Sequence, residues 1–369
     1  MFKPSLRRNW TLLALAVLAV VLYYIAQSQY VEAKDQDKYD AAELMSRCMT
    51  ALKDEVVSSG YRINERTDPA QTGLIGRRSS DITTSAGILS NKITALNPNF
   101  AAVYVDMLRQ AGVSRGDWVA VGLTGAEPGV NLALYCAMQT LGVNPVIVTA
   151  VGAAEFGANR DDFTWLDMER VLRQQQLIDF SSEMASIGGF RDMGDDLDSL
   201  GVAKLTEAMQ RNNVPLIRGQ FLSDNVRMRQ DTYIENLPQG QQYKLFINVG
   251  AGAANVGDLE NAKLIRTGLN TRLAEQEFET PGVMMELAKT MPVLHIYDIR
   301  SLADRYGMPV APRELPQVGT GPVFESKALN VTVAVICLVV ILLAITVVVI
   351  FDRKDRHFLE NVIDPDKEL

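Results

Sequence analysis

Residues 118–159 read WVAVGLTGAEPGVNLALYCAMQTLGVNPVIVTAVGAAEFGAN, and this stretch decides the fold class. A β-rich apolar run at 118–123 meets Thr124-Gly125, a helical pattern opens at Pro128 and closes at Gly142, and a second β-rich run at 145–150 reaches Val151-Gly152. Proline at the first helical position and glycine just past the last follow the asymmetry of helix ends. β-rich and helical runs that alternate, with glycine at each junction, predict βαβ units in a parallel sheet. Working outward, the pattern predicts helices at 99–110, 202–211, 223–235, 258–275 and 283–291, and strands at 214–217, 244–249 and 293–299. The expectation is an α/β fold with a doubly wound, mostly parallel sheet.

A short repeat lies inside the deciding stretch. Ala126-Glu127-Pro128-Gly129-Val130-Asn131 and Ala154-Glu155-Phe156-Gly157-Ala158-Asn159 share Ala-Glu-x-Gly-x-Asn one βα unit apart, and residues 250–255, Gly-Ala-Gly-Ala-Ala-Asn, are a looser third copy after another strand. Loops at the carboxyl ends of parallel strands are where open α/β sheets bind ligands, and free N–H groups at helix starts favour carboxylate or phosphate. Gly125, Asn131, Gly152, Asn159, Gly250, Gly252 and Asn255 are therefore the candidate ligand-binding residues. Glu127 and Glu155, with Thr124 at a strand tip and His295 in a later strand, are the candidates for acid, base or nucleophile, since paired carboxylates can divide that work. A glutamate in a first helical turn also simply complements the helix dipole, and His295, between Leu294 and Ile296, also reads as a satisfied half-buried residue. Asp298, at the end of the same strand as His295, is a further candidate for the cleft, and the segment Phe163-Thr164-Trp165-Leu166-Asp167-Met168-Glu169 either walls a pocket or starts a helix.

Two apolar runs, 10–26 and 329–351, bracket this region. The second is long enough for a hydrocarbon core of about 30 Å, and the first is marginal, at roughly 1.5 Å per helical residue. Lys3, Arg7 and Arg8 before the first, and Arg353, Lys354 and Arg356 after the second, predict both termini in the cytoplasm and the middle outside. The first run also has the features of a cleavable leader, although Tyr23 and Tyr24 at its end suit an uncleaved anchor. The expected organisation is an anchor at 1–26, a helical stalk and loop at 27–89, an extracytoplasmic α/β domain, or two related lobes, at 90–327, a second transmembrane helix at 328–351 and a cytoplasmic tail at 352–369. Within the domain, residues 308–326, rich in Pro and Gly, read as a tether to the membrane.

The formal net charge of −8 argues against nucleic acid as a partner, because phosphate neutralisation needs clustered Lys and Arg. Three cysteines and two histidines offer no zinc spacing, and no metal or cofactor is expected. A bridge between Cys48 and Cys136 is possible in an oxidising compartment, but the sequence favours Cys136 as a small core residue. Gly112-Val113-Ser114-Arg115-Gly116 has the letters of a nucleophile elbow but falls between helix and strand, the reverse of what the elbow needs. Residues 250–255 lack the third glycine of a dinucleotide fingerprint. Asp196, Asp198, Gly201 and Glu207 approach a calcium loop, but Leu200 stands where an oxygen ligand is required.

Asn97-Pro98-Asn99-Phe100-Ala101-Ala102, Gly116-Asp117-Trp118-Val119-Ala120-Val121-Gly122, Val151-Gly152-Ala153 with Gly157-Ala158-Asn159, and the segment 163–169 resemble the bacterial poly-gamma-glutamate system protein family. The resemblance covers nearly the whole chain, including an N-terminal anchor, and carries over no catalytic residue. It implies an accessory membrane protein of poly-gamma-glutamate (capsule-type polymer) synthesis or export, with the polymer and the synthase membrane subunits as partners. The exported domain would bind either of them, and Arg77 and Arg78 could add charge for gamma-glutamyl carboxylates. Two alternatives stand beside it: an extracytoplasmic hydrolase or gamma-glutamyl transferase acting on the polymer, and a structural scaffold for the synthase.

Overall fold

The structure, a computed structural model, describes residues 9–273 and 278–360. Lys3, Arg7, Arg8 and Glu275, and the side chains of Arg353, Lys354 and Arg356, lie outside the described residues. By its contacts the chain divides into Asp35–Phe324 and a second unit made of the two ends.

The larger unit is built on a seven-stranded sheet: β1 (Trp118–Thr124), β2 (Asn144–Ala150), β3 (Met184–Ser186), β4 (Leu216–Ile217), β5 (Tyr243–Val249), β6 (Gly268–Asn270) and β7 (Val293–Ile296). Their order is β4-β3-β2-β1-β5-β7-β6, and every pair is parallel except the edge pair β7-β6. β1 is buried along almost its whole length, as a strand covered on both faces must be. Val119, Val121 and Leu123 join a core with Leu245, Ile247, Leu294 and three helices, α1 (Gln36–Ser58), α2 (Phe100–Gln110) and α3 (Pro128–Leu141). Ala120 of β1, with Val146, Val148 and Phe246, faces the other way, toward Val226 and Tyr233 of a helix at Leu222–Glu235. α3 has its proline in the first turn, and Gly142 caps its end at φ 66, in the left-handed region.

Several expectations change in the fold. The helix expected as a stalk, α1, is a core layer: Ala41, Met45, Cys48, Leu52 and Val56 are fully or almost fully buried. Helical periodicity gave the stripe but not its partner, which is α2 and α3 rather than another stalk. The 258–275 helix is instead a short helix at Leu259–Leu264 followed by β6, because pairing with β7 takes over from helical continuation at Gly268. Asp298 accepts a hydrogen bond from the Ser301 amide at 3.0 Å and caps a helix at Ile299–Arg305. The segment 163–169 opens α4 (Trp165–Gln174), where Asp167 accepts from the Thr164 amide at 2.8 Å.

Asp167 is also held by Arg211 Nε at 2.8 Å and Asn212 at 2.9 Å, joining α4 to α5 (Ser199–Arg211). Burial pushes its carboxyl up, but the hydrogen bonds from Arg211, Asn212 and Thr164 outweigh it and hold the group below the usual range. A depressed folded pKa stabilises fully above the unfolded value of about 3.9 and loses the gain as pH falls through the folded value. Asp167→Asn should therefore lower stability by about 2 kcal/mol at pH 7. The difference between the two proteins' urea midpoints should close as the pH drops below about 3.9.

The Pro- and Gly-rich segment expected as a tether is strapped to the unit. Thr94 Oγ1 accepts from the Ala311 amide at 2.9 Å, Asn99 donates to Gln317 O at 2.9 Å and accepts from the Gly319 amide at 3.0 Å, and Lys38 donates to Val323 O at 3.0 Å. Asn99→Ala removes two of these bonds, at about 1 kcal/mol each, so limited proteolysis should cut near Gln317 several times faster than in the parent.

In the other unit, helices at Asn9–Ser28 and Val331–Glu360 pack together and are joined by an antiparallel ribbon pairing Tyr30–Ala33 with Ser326–Leu329. Asn9–Ser28 and Val331–Phe351 are long and apolar enough to cross a membrane, with mean hydropathy 2.0 and 3.6.

Candidate functional site

The strand order places β2 and β5 on opposite sides of β1, so successive connections run in opposite directions from that point. The loops leaving the carboxyl ends of β1 and β5 meet at this point, the position at which open parallel sheets bind ligands. Thr124, Gly125 and Glu127 stand on one side of it, and Gly250, Ala251 and Gly252 on the other.

The glycines serve close approach. A Cβ on Gly250 would lie 2.5 Å from Thr124 Oγ1, and one on Gly252 2.9 Å from Thr124 Cγ2, so the loop after β5 lies directly on Thr124. Gly122 of β1 has no room for a Cβ because the Asn255 carboxamide rests on it. Asn255 Oδ1 accepts from Arg229 Nη1 at 2.9 Å, which ties the loop after β5 to α6 (Leu222–Glu235).

Arg229 centres a buried network that the sequence reading missed. Its guanidinium is 1 % exposed and donates through Nη2 to Ser186 Oγ at 2.7 Å and to both Asp192 carboxylate oxygens at 3.2 Å. Ser186, at the end of β3, donates to Asp192 Oδ1 at 2.8 Å, and Asn225 donates to Asp192 Oδ2 at 3.2 Å. The network thus gathers the carboxyl end of β3, the loop behind it, α6 and the loop after β5. Thr124 Oγ1, Arg229 Nε and Asn255 Nδ2 are buried and have no hydrogen-bond partner among the described residues. Each of these atoms can donate.

The two close copies of the repeat meet, but not as a matched pair. The Ala158 amide donates to Gly125 O at 2.8 Å, and a Cβ on Gly157 would lie 2.7 Å from Ala126 O, so the copies touch through backbone. Only the first starts a helix. In the second, Ala153–Ala154 pairs with Thr83–Ser85 and Phe156 turns at φ 60. Its free helix-start N–H groups, expected from the repeat, do not exist, because the β-bridge claims the backbone first.

The remaining candidates have local partners, although Glu127 Oε2 and Asn131 Oδ1 are buried with no hydrogen-bond partner among the described residues. Glu127 pairs with Lys92, which also donates to Ala126 O at 2.7 Å. Glu155 Oε2 accepts from the Gly87 amide at 3.3 Å. Burial and the Glu127 charge push the nearby Tyr104 hydroxyl well up. His295 Nδ1 accepts from Asn248 at 2.9 Å and Nε2 donates to Ala262 O at 3.0 Å; burial lowers its pKa, so a neutral ring with both nitrogens engaged is the stable form. Asn131 donates to Thr124 O at 2.9 Å. Asn159 donates to Arg77 O at 2.7 Å and Thr83 Oγ1 at 2.9 Å and accepts from the Arg77 amide at 2.8 Å, so it fixes the loop carrying Arg77 and Arg78, whose side chains are exposed. The Gly152 amide donates to Ile187 O at 2.8 Å, and Thr84 Cγ2 lies 2.7 Å from where its Cβ would be. Of the calcium-like residues, Asp198 caps α5 through the Gly201 amide at 2.7 Å and Asp196 accepts from the Phe190 amide at 3.0 Å.

Of the predicted set, then, Thr124, Gly125, Gly250, Gly252 and Asn255 come together at the reversal point. Asn131 sits beneath it, while Gly152, Glu155, Asn159 and His295 hold neighbouring backbone. Comparison with protein-family models, with curated proteins and with solved structures finds no match to this chain.

Proposed function

We propose that this chain is an accessory membrane protein of poly-gamma-glutamate synthesis or export, held in the cytoplasmic membrane by its two apolar helices, whose α/β unit binds the polymer outside. The observation that carries the reading is the set of three buried donors, on Thr124, Arg229 and Asn255, at the carboxyl edge of the sheet. Gamma-glutamyl carboxylate and amide oxygens are acceptors, and a donor already desolvated gains most from an acceptor that reaches it. The resemblance of the segments quoted above supplies the polymer. The reversal of strand order fits a doubly wound sheet with its ligand crevice at β1 and β5. Paired apolar helices that turn back through a β-ribbon fit two spans with both termini on the cytoplasmic side.

Binding is favoured over hydrolysis or transfer because Glu127, Glu155 and His295 are each engaged by a local partner, and no nucleophile–base pair forms among these candidates. The test is size-exclusion chromatography of poly-gamma-glutamate with the full chain in detergent micelles. Co-elution with unchanged polymer length is the expected result; shortened polymer would identify the hydrolase instead, and separate elution would remove polymer binding. Normal polymer yield and length in a deletion strain would overturn the assignment to this system. Thr124→Val, nearly the same shape without the donor, should weaken polymer binding about tenfold while leaving thermal stability within about 0.5 kcal/mol, measured by titration and by melting.

A further inference from the structure

α1 and α3 pack against each other in the core, and each presents one cysteine at the contact. Cys48 and Cys136 are both fully buried, their Sγ atoms lie 3.8 Å apart, and they stand 88 residues apart in sequence. Two sulfurs in van der Waals contact need to close by about 1.8 Å to reach the bonded distance of about 2.05 Å. Both cysteines belong to one continuous core, and the bonded state requires the two helices and the two side-chain rotamers to adjust by that distance.

We propose that Cys48 and Cys136 form a disulfide in the mature protein, a covalent staple between α1 and the first crossover helix of the sheet. The proposal rests on the reading that this unit lies outside the cytoplasmic membrane, since disulfides persist in oxidising compartments. The oxidant is an external disulfide, that of a thiol–disulfide oxidoreductase or an oxidised small thiol. One cysteine thiolate attacks a sulfur of that disulfide and releases its other sulfur as a thiol, giving a mixed disulfide. The second cysteine then attacks the chain's own sulfur, the Sγ–Sγ bond forms, and the second external thiol leaves. Two protons and two electrons pass to the external disulfide, which ends as a dithiol.

The order of events follows from burial. No solvent path reaches either sulfur in the folded core, and burial pushes the Cys136 thiol well up, away from the reactive thiolate. The bond is therefore made before α1 docks, and the folded core shields it afterwards from reductant. Closing a loop of 88 residues restricts the unfolded chain, so the melting midpoint should fall by about 10 °C when the bond is absent.

The test uses the full chain from its native membranes, denatured in excess maleimide-polyethylene glycol so that every free thiol is marked by a gel shift. The chain has three cysteines, and the third, Cys337, lies in the apolar C-terminal helix and serves as an internal count. One adduct without reductant and three after reduction is the expected result. Cys48→Ala and Cys136→Ala should each show two adducts without reductant, which identifies both partners; a single adduct in either variant would mean that the two remaining cysteines are not both free and would overturn the proposal. Three adducts in the unreduced parent would overturn it as well. Labelling of Ser58→Cys, an exposed position, by a membrane-impermeant maleimide on intact cells separates the two readings. Three free thiols in the parent with Ser58→Cys labelled sinks the disulfide alone, three in the parent with it unlabelled sinks both, and one in the parent with it unlabelled keeps the disulfide and sinks the external placement.

Discussion

Arg229→Met is expected to destabilise the chain by about 3–5 kcal/mol, because it leaves the Asp192 carboxylate buried with no compensating charge. Asp192 is 1 % exposed and its remaining donors, Ser186 Oγ and Asn225 Nδ2, are neutral. The mutation also frees Asn255, whose carboxamide oxygen loses its Arg229 donor while the group stays pressed on Gly122. Asp192→Asn should show a loss of similar size, since it strands the guanidinium instead. The backbone at Asp192 is left-handed, φ 62, which asparagine tolerates, so the comparison isolates charge from strain. The double variant Arg229→Met/Asp192→Asn should recover about 1–3 kcal/mol of the sum of the two single losses. Denaturant unfolding of the four proteins measures the cycle, and simple additivity would show that the two groups act independently. The single variants should also weaken any ligand held at the reversal point, because Arg229 hydrogen-bonds both Asp192 of the β3 loop and Asn255.

Glu169→Ala should be as damaging, with a loss of about 4–5 kcal/mol. The carboxylate is fully enclosed between α3, α4 and residue 182, and it accepts from the Tyr135 hydroxyl, from Trp165 Nε1 at 2.8 Å, from Ser182 Oγ at 2.8 Å and from the Ser182 amide at 3.1 Å. Tyr135 and Trp165 are themselves 0 % exposed, with ring centroids 5.2 Å apart, so their polar ends have nowhere else to turn. Truncation strands several buried donors and opens a void among the rings. Burial nevertheless raises the Glu169 pKa, in spite of the hydrogen bonds from Tyr135 and Ser182 that pull it down. The fold therefore holds more proton at this site than the unfolded chain does, and this group's contribution declines as pH rises from about 4.3 through the folded value. That slope is opposite in sign to the one expected from Asp167. Glu169→Gln should lose it, at a penalty of about 2 kcal/mol for an amide facing the Ser182 N–H. Stability curves from pH 4 to 8 for parent and variant would show the difference, and parallel curves would place the raised titration elsewhere.

These two groups show why the reading of residues 118–159 succeeded and the reading of the site fell short. β1, α3 and β2 were legible because each announces itself within a few residues: a β-rich apolar run, a proline in the first turn, a glycine past the last. Glu169 sits in a segment whose Asp, Glu and Thr are equally what a solvated helix start would contain. Arg227 and Arg229 are neighbours on one helix and alike in sequence, yet one side chain is 70 % exposed and the other 1 %. The partner that makes the difference, Asp192, is 37 residues away on a turn with no periodic signal. β3, only Met184–Ser186, is too short to carry a pattern of its own and exists because β2 offers an edge.

The repeat teaches the same lesson from the other side. Its two copies share four of six positions, but Pro128 commits the first to a helix, whereas Ala153–Ala154 has a strand partner at Thr83–Ser85 and the second becomes a turn. A shared motif thus took different structures, because the second copy lacks the proline and has a competing strand neighbour. By itself the sequence determined the apolar ends, the α/β class and the βαβ unit around residue 118, since these rest on period, composition and turn chemistry that act over a few residues. The tertiary structure alone decided that α1 is core, that residues 308–324 are a strap, that Cys48 meets Cys136, and that Arg229 is buried beneath the sheet's edge, since each depends on which distant surface removes a side chain from water.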